Sequence, residues 1–322
     1  MALLTPLPFD DARALLSAYG LELTRLVPLR AGSVNSNFLL ETAEGRPLFA
    51  RIYEEQGPEG ARFELSLNEA LAQAGVPVAL PVRRLDGAQF AMVGDKPFAV
   101  YERARGEVLC QARVTPQVTR ALGAALARVH LADLGGLVVP EGRFDRAALL
   151  GRLETVERSG RAALLAGASR VRALLERLDR ERSTELPRGL IHGDLFRDNA
   201  LVSGDGISAL LDFESACAGS YVYDVAVTLL AWCYGDRLDA ELAFALLDGY
   251  HAVRPLSALE QASLPSEGAF ACARFATTRM TDFSLRVGEH ETPGRDFRRF
   301  FQRLDELDQG ALSPLLARLP KR

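Results

Sequence analysis

The stretch that most restricts what this chain can become is IHGDLFRDNALVSGDGISALLDFE, residues 191–214. Asp194, Asn199 and Asp212 sit in it among strand-forming apolar residues, where a buried carboxylate is costly unless something pairs with it. Residues 200–202 and 207–211 read as two short strands, with Ser203-Gly204-Asp205-Gly206 as the turn between them. A hairpin of that length carries Asp212 back beside Asn199. One carboxylate and one amide, completed by oxygens of a substrate and of water, suit a hard dication. Singly, the three residues read equally well as a turn residue, a cap and a strand terminator. Their order, spacing and hairpin together favour a site.

Around this stretch the chain changes texture once. Residues 10–19, ended by Gly20, read as a short amphipathic helix. Alternating strands follow at 22–29, 37–41 and 47–53. Residues 58–74 place Phe63, Leu67, Leu71 and Ala74 at helical spacing and stop at Gly75. Strand-like runs return at 80–85, 90–93 and 97–102. Beyond Gly106 the pattern is helical over 115–132, over a long 144–182 region and again after Tyr221. The expected fold class is therefore α+β and bilobal, with a small β-rich lobe over residues 1–103 and a larger α-helical lobe over 104–322. Residues 103–106 form the connector.

Composition narrows the partners. The 38 basic and 42 acidic residues leave a formal charge of −4, so no basic field points to nucleic acid. No run of eighteen apolar residues suggests a membrane span. Cys110, Cys217, Cys233 and Cys272 lie far apart without a C-x-x-C pair, which suits a reducing cytoplasm better than zinc or disulfides. The start, MALLTPLPFDDARALL, lacks the basic region of a signal peptide.

His192-Gly193-Asp194, four residues and Asn199 fit the catalytic-loop spacing of kinases, H-x-D-x-x-x-x-N. There the aspartate accepts a substrate hydroxyl proton and the asparagine holds magnesium. Asp212 then takes the place of the metal-binding aspartate of D-F-G, written here Asp212-Phe213-Glu214. With Leu122-Gly123-Ala124-Ala125-Leu126-Ala127-Arg128-Val129-His130, Ala74-Gly75-Val76-Pro77-Val78 and Tyr223-Asp224-Val225-Ala226, the chain resembles the aminoglycoside phosphotransferase and choline kinase branch of the protein-kinase-like fold. Within that branch it is most similar to the homoserine kinases of this fold. The segments that carry this are Val34-Asn35-Ser36-Asn37-Phe38, Leu211-Asp212-Phe213-Glu214-Ser215-Ala216-Cys217, Ala231-Trp232-Cys233, Gly249-Tyr250-His251-Ala252-Val253-Arg254-Pro255-Leu256, Arg274-Phe275 and Arg279-Met280-Thr281-Asp282.

The resemblance implies an ATP- and Mg²⁺-dependent kinase acting on a small-molecule hydroxyl, with L-homoserine favoured and threonine biosynthesis as its setting. An aminoglycoside, a choline-like alcohol, methylthioribose or a protein serine as acceptor stays open, as does a nucleotide-binding pseudokinase. It implies Asp194 as catalytic base, Asn199 and Asp212 as metal ligands, and His192 and Asp224 as supports of the loop, Asp224 doubling as a helix cap. His130 reads as a satisfied packing histidine. The loop with Asn35, Ser36 and Asn37 is expected over the phosphates through its backbone N–H groups, although it reads equally as a hairpin turn. Arg51 stands where protein kinases use lysine, with Glu64 as its helix partner in preference to Glu69, which lies off the inward stripe. The backbone of Tyr101, Glu102 and Arg103 is expected at adenine. Arg274, Arg279 and Asp282 form a candidate clamp for a zwitterionic acceptor or, alternatively, an intrahelical salt bridge. Trp232 lines the acceptor pocket or fills core.

Overall fold

The computed structural model describes residues 4–29, 34–285 and 296–320. The first half of the expected phosphate loop, residues 30–33, lies outside the described residues.

The first lobe is built on an antiparallel sheet. Its strands are β1 (Leu23–Leu29), β2 (Ser36–Thr42), β3 (Leu48–Ile52), β4 (Pro81–Val82), β5 (Ala91–Val93) and β6 (Lys96–Glu102). The order is β1-β2-β3-β6-β4, with β5 also on β6. Alternation decides which residues face which side. Phe38, Leu40, Leu48, Ala50, Ile52, Phe98 and Val100 pack under α1 (Phe9–Ser17), against Ala12 and Leu16. Residues expected as a strand at 80–85 pair only at β4, because Arg84 to Gly87 turn, with the Arg84 N–H on the Ala88 carbonyl at 2.9 Å and Gly87 at φ +84°.

Helix α2 (Pro58–Gln73) starts with Pro58 in its first turn and ends before Gly75, whose φ is +77°. It is apolar on two sides. Ala61 and Leu65 pack with Tyr53, Ala99 and Tyr101 beneath the sheet, while Leu67 and Leu71 enter the core of the second lobe. That double burial makes α2 a strut between the lobes and sets the position of Glu64.

The second lobe contains α3 (Pro116–Leu131), α4 (Arg146–Arg158), α5 (Ala162–Glu181), α6 (Tyr221–Trp232), α7 (Ala240–Val253), α8 (Ala258–Arg279), α9 (Arg298–Asp308) and α10 (Ser313–Leu316). The long helical region expected over 144–182 is in fact two helices, broken where Gly160 takes φ +65°. Helices α3 and α7 cross at Gly123 and Gly249. A Cβ at either would stand 2.1 Å from a backbone carbonyl oxygen of the other helix. Only glycine permits that approach.

Two small β-ladders carry the quoted stretch. Strand β7 (Arg188–Ile191) pairs with β10 (Cys217–Ser220), and β8 (Ala200–Ser203) forms a hairpin with β9 (Gly206–Leu210). The connector is tied to that hairpin, since Glu107 and Val202 exchange backbone hydrogen bonds of 3.0 and 2.9 Å. Among the described residues no helix is long and apolar enough to cross a membrane.

Candidate active site

The loop after β7 is held from beneath by one carboxylate. Asp224, fully buried in the first turn of α6, accepts the backbone N–H groups of His192 at 2.7 Å and Gly193 at 2.8 Å. It also accepts from His130 Nε2 at 3.1 Å, and His130 Nδ1 in turn accepts from the Tyr250 hydroxyl at 2.7 Å. Burial acts to raise the Asp224 carboxyl, yet these donors and the nearby histidines hold it below the ordinary carboxylate value. His130 is kept neutral by its own burial. It is the satisfied histidine expected, and its partner is the very acid that supports the loop.

His192 completes the loop. Its Nε2–H donates to the Leu211 carbonyl at 3.0 Å, and Nδ1 accepts the Asp194 N–H at 3.3 Å. One imidazole thereby ties Asp194 to the residue before Asp212. Trp232, fully buried, donates from Nε1 to the Leu195 carbonyl at 3.1 Å. It is core that braces the loop and does not line the acceptor cavity.

Asn199 donates from Nδ2 to the Asp194 carbonyl at 2.8 Å, which leaves Oδ1 as the oxygen the amide can offer. The Leu211 N–H bonds the Asn199 carbonyl at 2.9 Å, so the hairpin does return Asp212 to Asn199. Asp212 takes left-handed backbone angles, φ 64° and ψ 63°, the only described residue other than glycine with positive φ. Such strain of about 1–3 kcal/mol persists where the surroundings impose it. Its Oδ1 is buried with no hydrogen-bond partner. A buried carboxylate oxygen that no hydrogen bond satisfies, on the residue the hairpin returns to Asn199, fits a hard divalent cation together with the Asn199 amide oxygen. Among the described residues no three His, Cys, Asp or Glu side chains form a metal site by themselves, so such a cation would draw further oxygens from substrate and water.

Arg51 on β3 points into the same space. Its Nη1 lies 3.3 Å from Glu64 Oε1, 3.6 Å from Asp212 Oδ1 and 3.6 Å from Glu214 Oε1, while Nε donates to Asn37 Oδ1 at 3.4 Å. One guanidinium therefore faces three carboxylates. Burial, together with Asp212 and Glu214, pushes the Glu64 carboxyl up to about 8 against the pull of Arg51. Glu214 is raised as well, by burial first and then by Asp212. Glu214 was not among the residues singled out from sequence. Its signal was an acid in the place of the D-F-G glycine.

Beside the loop opens a cleft of about 750 Å³, lined among others by Phe144, Gly193, Glu214, Cys217, Tyr223 and Arg274. Arg274 is buried. Its Nη1 donates to the Gly193 carbonyl at 2.5 Å and Nη2 lies 3.4 Å from Asp194 Oδ1, with the guanidinium between the Phe144 and Phe275 rings at 4.4 and 4.1 Å. Burial raises the Asp194 carboxyl above its ordinary value, partly offset by Arg274 and His192. A carboxylate next to the cleft, a guanidinium beside it, and an amide and a carboxylate that could hold a cation can together take a hydroxyl proton and hold phosphate charge.

The model of the phosphotransferase enzyme family matches residues 25–256. The chain belongs to this family. A homoserine kinase from Neisseria meningitidis serogroup B is 35% identical over 88% of this chain and 92% of its own length. One from Methylobacillus flagellatus is 32% identical over 98% of each. Among solved structures, an amicoumacin kinase in complex with AMP-PNP, Ca²⁺ and Ami superposes with a TM-score of 0.69 at 20% identity, covering 94% of both chains. A spectinomycin phosphotransferase bound to ADP and spectinomycin gives 0.68 at 13% identity, covering 98% and 99%. The bilobal kinase-like fold is thus shared, and the chain is an ATP-dependent phosphotransferase with a hydroxyl acceptor.

In this phosphotransferase several expected site residues lie elsewhere. The Ser36 hydroxyl accepts the N–H groups of Leu4 and Thr5 at 2.9 and 3.0 Å and donates to Glu54 at 2.5 Å, so it pins the N-terminal segment. Asn35 stays near the cleft, donating from Nδ2 to Glu214 while its Oδ1 accepts the Glu54 N–H at 3.1 Å. The N–H groups of Glu102 and Arg103 are engaged by the Leu80 and Pro47 carbonyls at 2.8 and 3.0 Å, and Tyr101 bonds Tyr53 inside the core. Those donors are not open to adenine. Asp282 pairs with Arg152 of α4 at 2.8 Å, and Arg279 stacks on Phe300 at 4.8 Å. Of the expected acceptor clamp, only Arg274 lines the cleft.

Proposed function

We propose that this phosphotransferase transfers the γ-phosphoryl group of ATP to the γ-hydroxyl of L-homoserine, giving ADP and O-phospho-L-homoserine in threonine biosynthesis. The observation that carries the reading is Arg274, buried against Asp194 on the cleft wall, where it can take an acceptor carboxylate while the hydroxyl meets the base. Likeness to homoserine kinases over most of the chain supports the same acceptor.

In this reading residues 1–103 bind the nucleotide and residues 104–322 carry catalysis and the acceptor. Asp194 Oδ accepts the hydroxyl proton as the oxygen attacks the γ-phosphorus in line. Arg51, aimed by Glu64 and Asn37, neutralises phosphate charge. His192 and Asp224 keep the loop in register. Asp212 and Asn199 would hold Mg²⁺, which when bound would supply positive charge to neutralise the transferring phosphate. Positioning and charge neutralisation supply most of the rate enhancement. Four free thiols, two of them buried, are in keeping with a cytoplasmic enzyme.

The size of the cleft favours a second reading. About 750 Å³ is far more than a small amino acid fills, and it would admit a larger alcohol such as an aminoglycoside. A coupled ADP-release assay with Mg·ATP separates the two, offering homoserine, serine, choline, methylthioribose and kanamycin, with Asp194→Ala as blank. Asp194-dependent turnover on homoserine alone supports the first reading. Turnover confined to kanamycin or another alcohol overturns it.

A further inference from the structure

Resting on homoserine as acceptor, the geometry points to Glu214 as the residue that recognises the acceptor ammonium group. A zwitterion needs an anionic partner opposite the cation that takes its carboxylate. The acids on the cleft wall can be sorted by what already holds them. Glu267 is fully buried in a two-pronged bond to Arg182, at 2.8 and 3.0 Å. Asp145 caps α4 through the Ala148 N–H at 2.7 Å. Glu141 lies at the rim, 3.4 Å from Arg188, and is mostly exposed. Asp282, the acid expected from sequence, is held by Arg152 and is not on the wall.

Glu214 differs from all of them. Its hydrogen-bond and ion-pair partners, Asn35 Nδ2 and Arg51 Nη1, both meet Oε1, which leaves Oε2 for a ligand, with Arg143 a further cation near the group. Its side chain is 13% exposed and lines both the main cleft and a smaller adjoining cavity of about 390 Å³. Arg51 is shared with Glu64 and Asp212 and so does not neutralise Glu214 by itself. The short segment that carries Glu214 runs alongside the catalytic loop, since a Cβ at Gly193 would stand 3.0 Å from the Ser215 carbonyl oxygen. Arg274 and Glu214 therefore line one cleft next to Asp194, a guanidinium and a carboxylate for the two charges of an α-amino acid. A buried acceptor of this kind rejects a ligand that cannot donate to it.

The test compares L-homoserine with 4-hydroxybutanoate, which keeps the carboxylate and hydroxyl and lacks the ammonium. Wild type should favour homoserine by about a thousandfold in kcat/KM, within the loss expected when one partner of a buried charge pair is missing. Glu214→Gln should lower kcat/KM for homoserine about a hundredfold more than for 4-hydroxybutanoate, collapsing the preference to about tenfold. Glu214→Asp, which keeps the charge, should restore most of it. A preference retained in Glu214→Gln overturns the inference. So does an equal loss on both acceptors with a raised Mg²⁺ requirement, which would place Glu214 on the metal. If wild type turns over another alcohol and not homoserine, the substrate reading itself fails, and this inference with it.

Discussion

The catalytic loop and the acceptor cleft touch at Arg274, yet the chain builds them in opposite ways. The loop is assembled from neighbours: Asp194, Asn199, Leu211 and Asp212 span nineteen positions and are joined by backbone bonds and one imidazole. The cleft is assembled from distant segments, with Phe144 before α4, Glu214 after β9, Tyr223 on α6 and Arg274 on α8. Local assembly fixes geometry through register and turn chemistry. Distant assembly leaves each wall residue to helix packing. The loop should therefore fail through chemistry, and the cleft through affinity.

The largest effect should come from Asp194→Asn. It keeps the shape and removes the base, so turnover should fall by about 10³–10⁴, the upper range for a general base, while calorimetry finds Mg·ATP binding unchanged. Weakened nucleotide binding of similar size would break the comparison, because the loop would then be positioning phosphate.

Asp224→Ala comes next and acts on stability. It leaves three buried donors unpaired beneath the loop, with an expected loss of about 3–5 kcal/mol in urea unfolding. The folded Asp224 pKa lies below its unfolded value. Its contribution is complete above the ordinary carboxylate range and is lost as pH falls through the depressed value. The deficit should hence shrink in strong acid.

Arg274→Gln should raise the acceptor KM by about a hundredfold, roughly 3 kcal/mol, and spare the ATP KM. The base works only when ionised, and its pKa is already raised by burial. Removing the neighbouring cation should move the acid limb of the kcat/KM profile to still higher pH. An unmoved limb would mean that Arg274 does not act on Asp194. The smallest effect should be that of Trp232→Phe. It loses one bond to the Leu195 carbonyl and should cost about 1 kcal/mol, with little change in the acceptor KM.

The contrast also explains what could be read in advance. The hairpin, the loop and the pairing of Arg51 with Glu64 were legible because strand alternation and helical spacing fix where those side chains point. The role of the Ser36 hydroxyl was not legible because its neighbours in sequence say nothing of Leu4, Thr5 and Glu54 closing on it. That the Glu102 and Arg103 N–H groups are engaged was not legible because the Leu80 and Pro47 carbonyls come from other segments of the lobe. Asp282 was assigned to the acceptor on spacing along one helix, whereas its partner comes from α4.

By itself, then, the order of residues determined the two-lobed α+β plan and the chemistry of the loop, since both follow from short-range periodicity and turns. Which arginine reaches the cleft, which acids are already neutralised and which one is left to meet a ligand were decided only when remote helices packed. Those outcomes depend on distances between segments that no local pattern encodes.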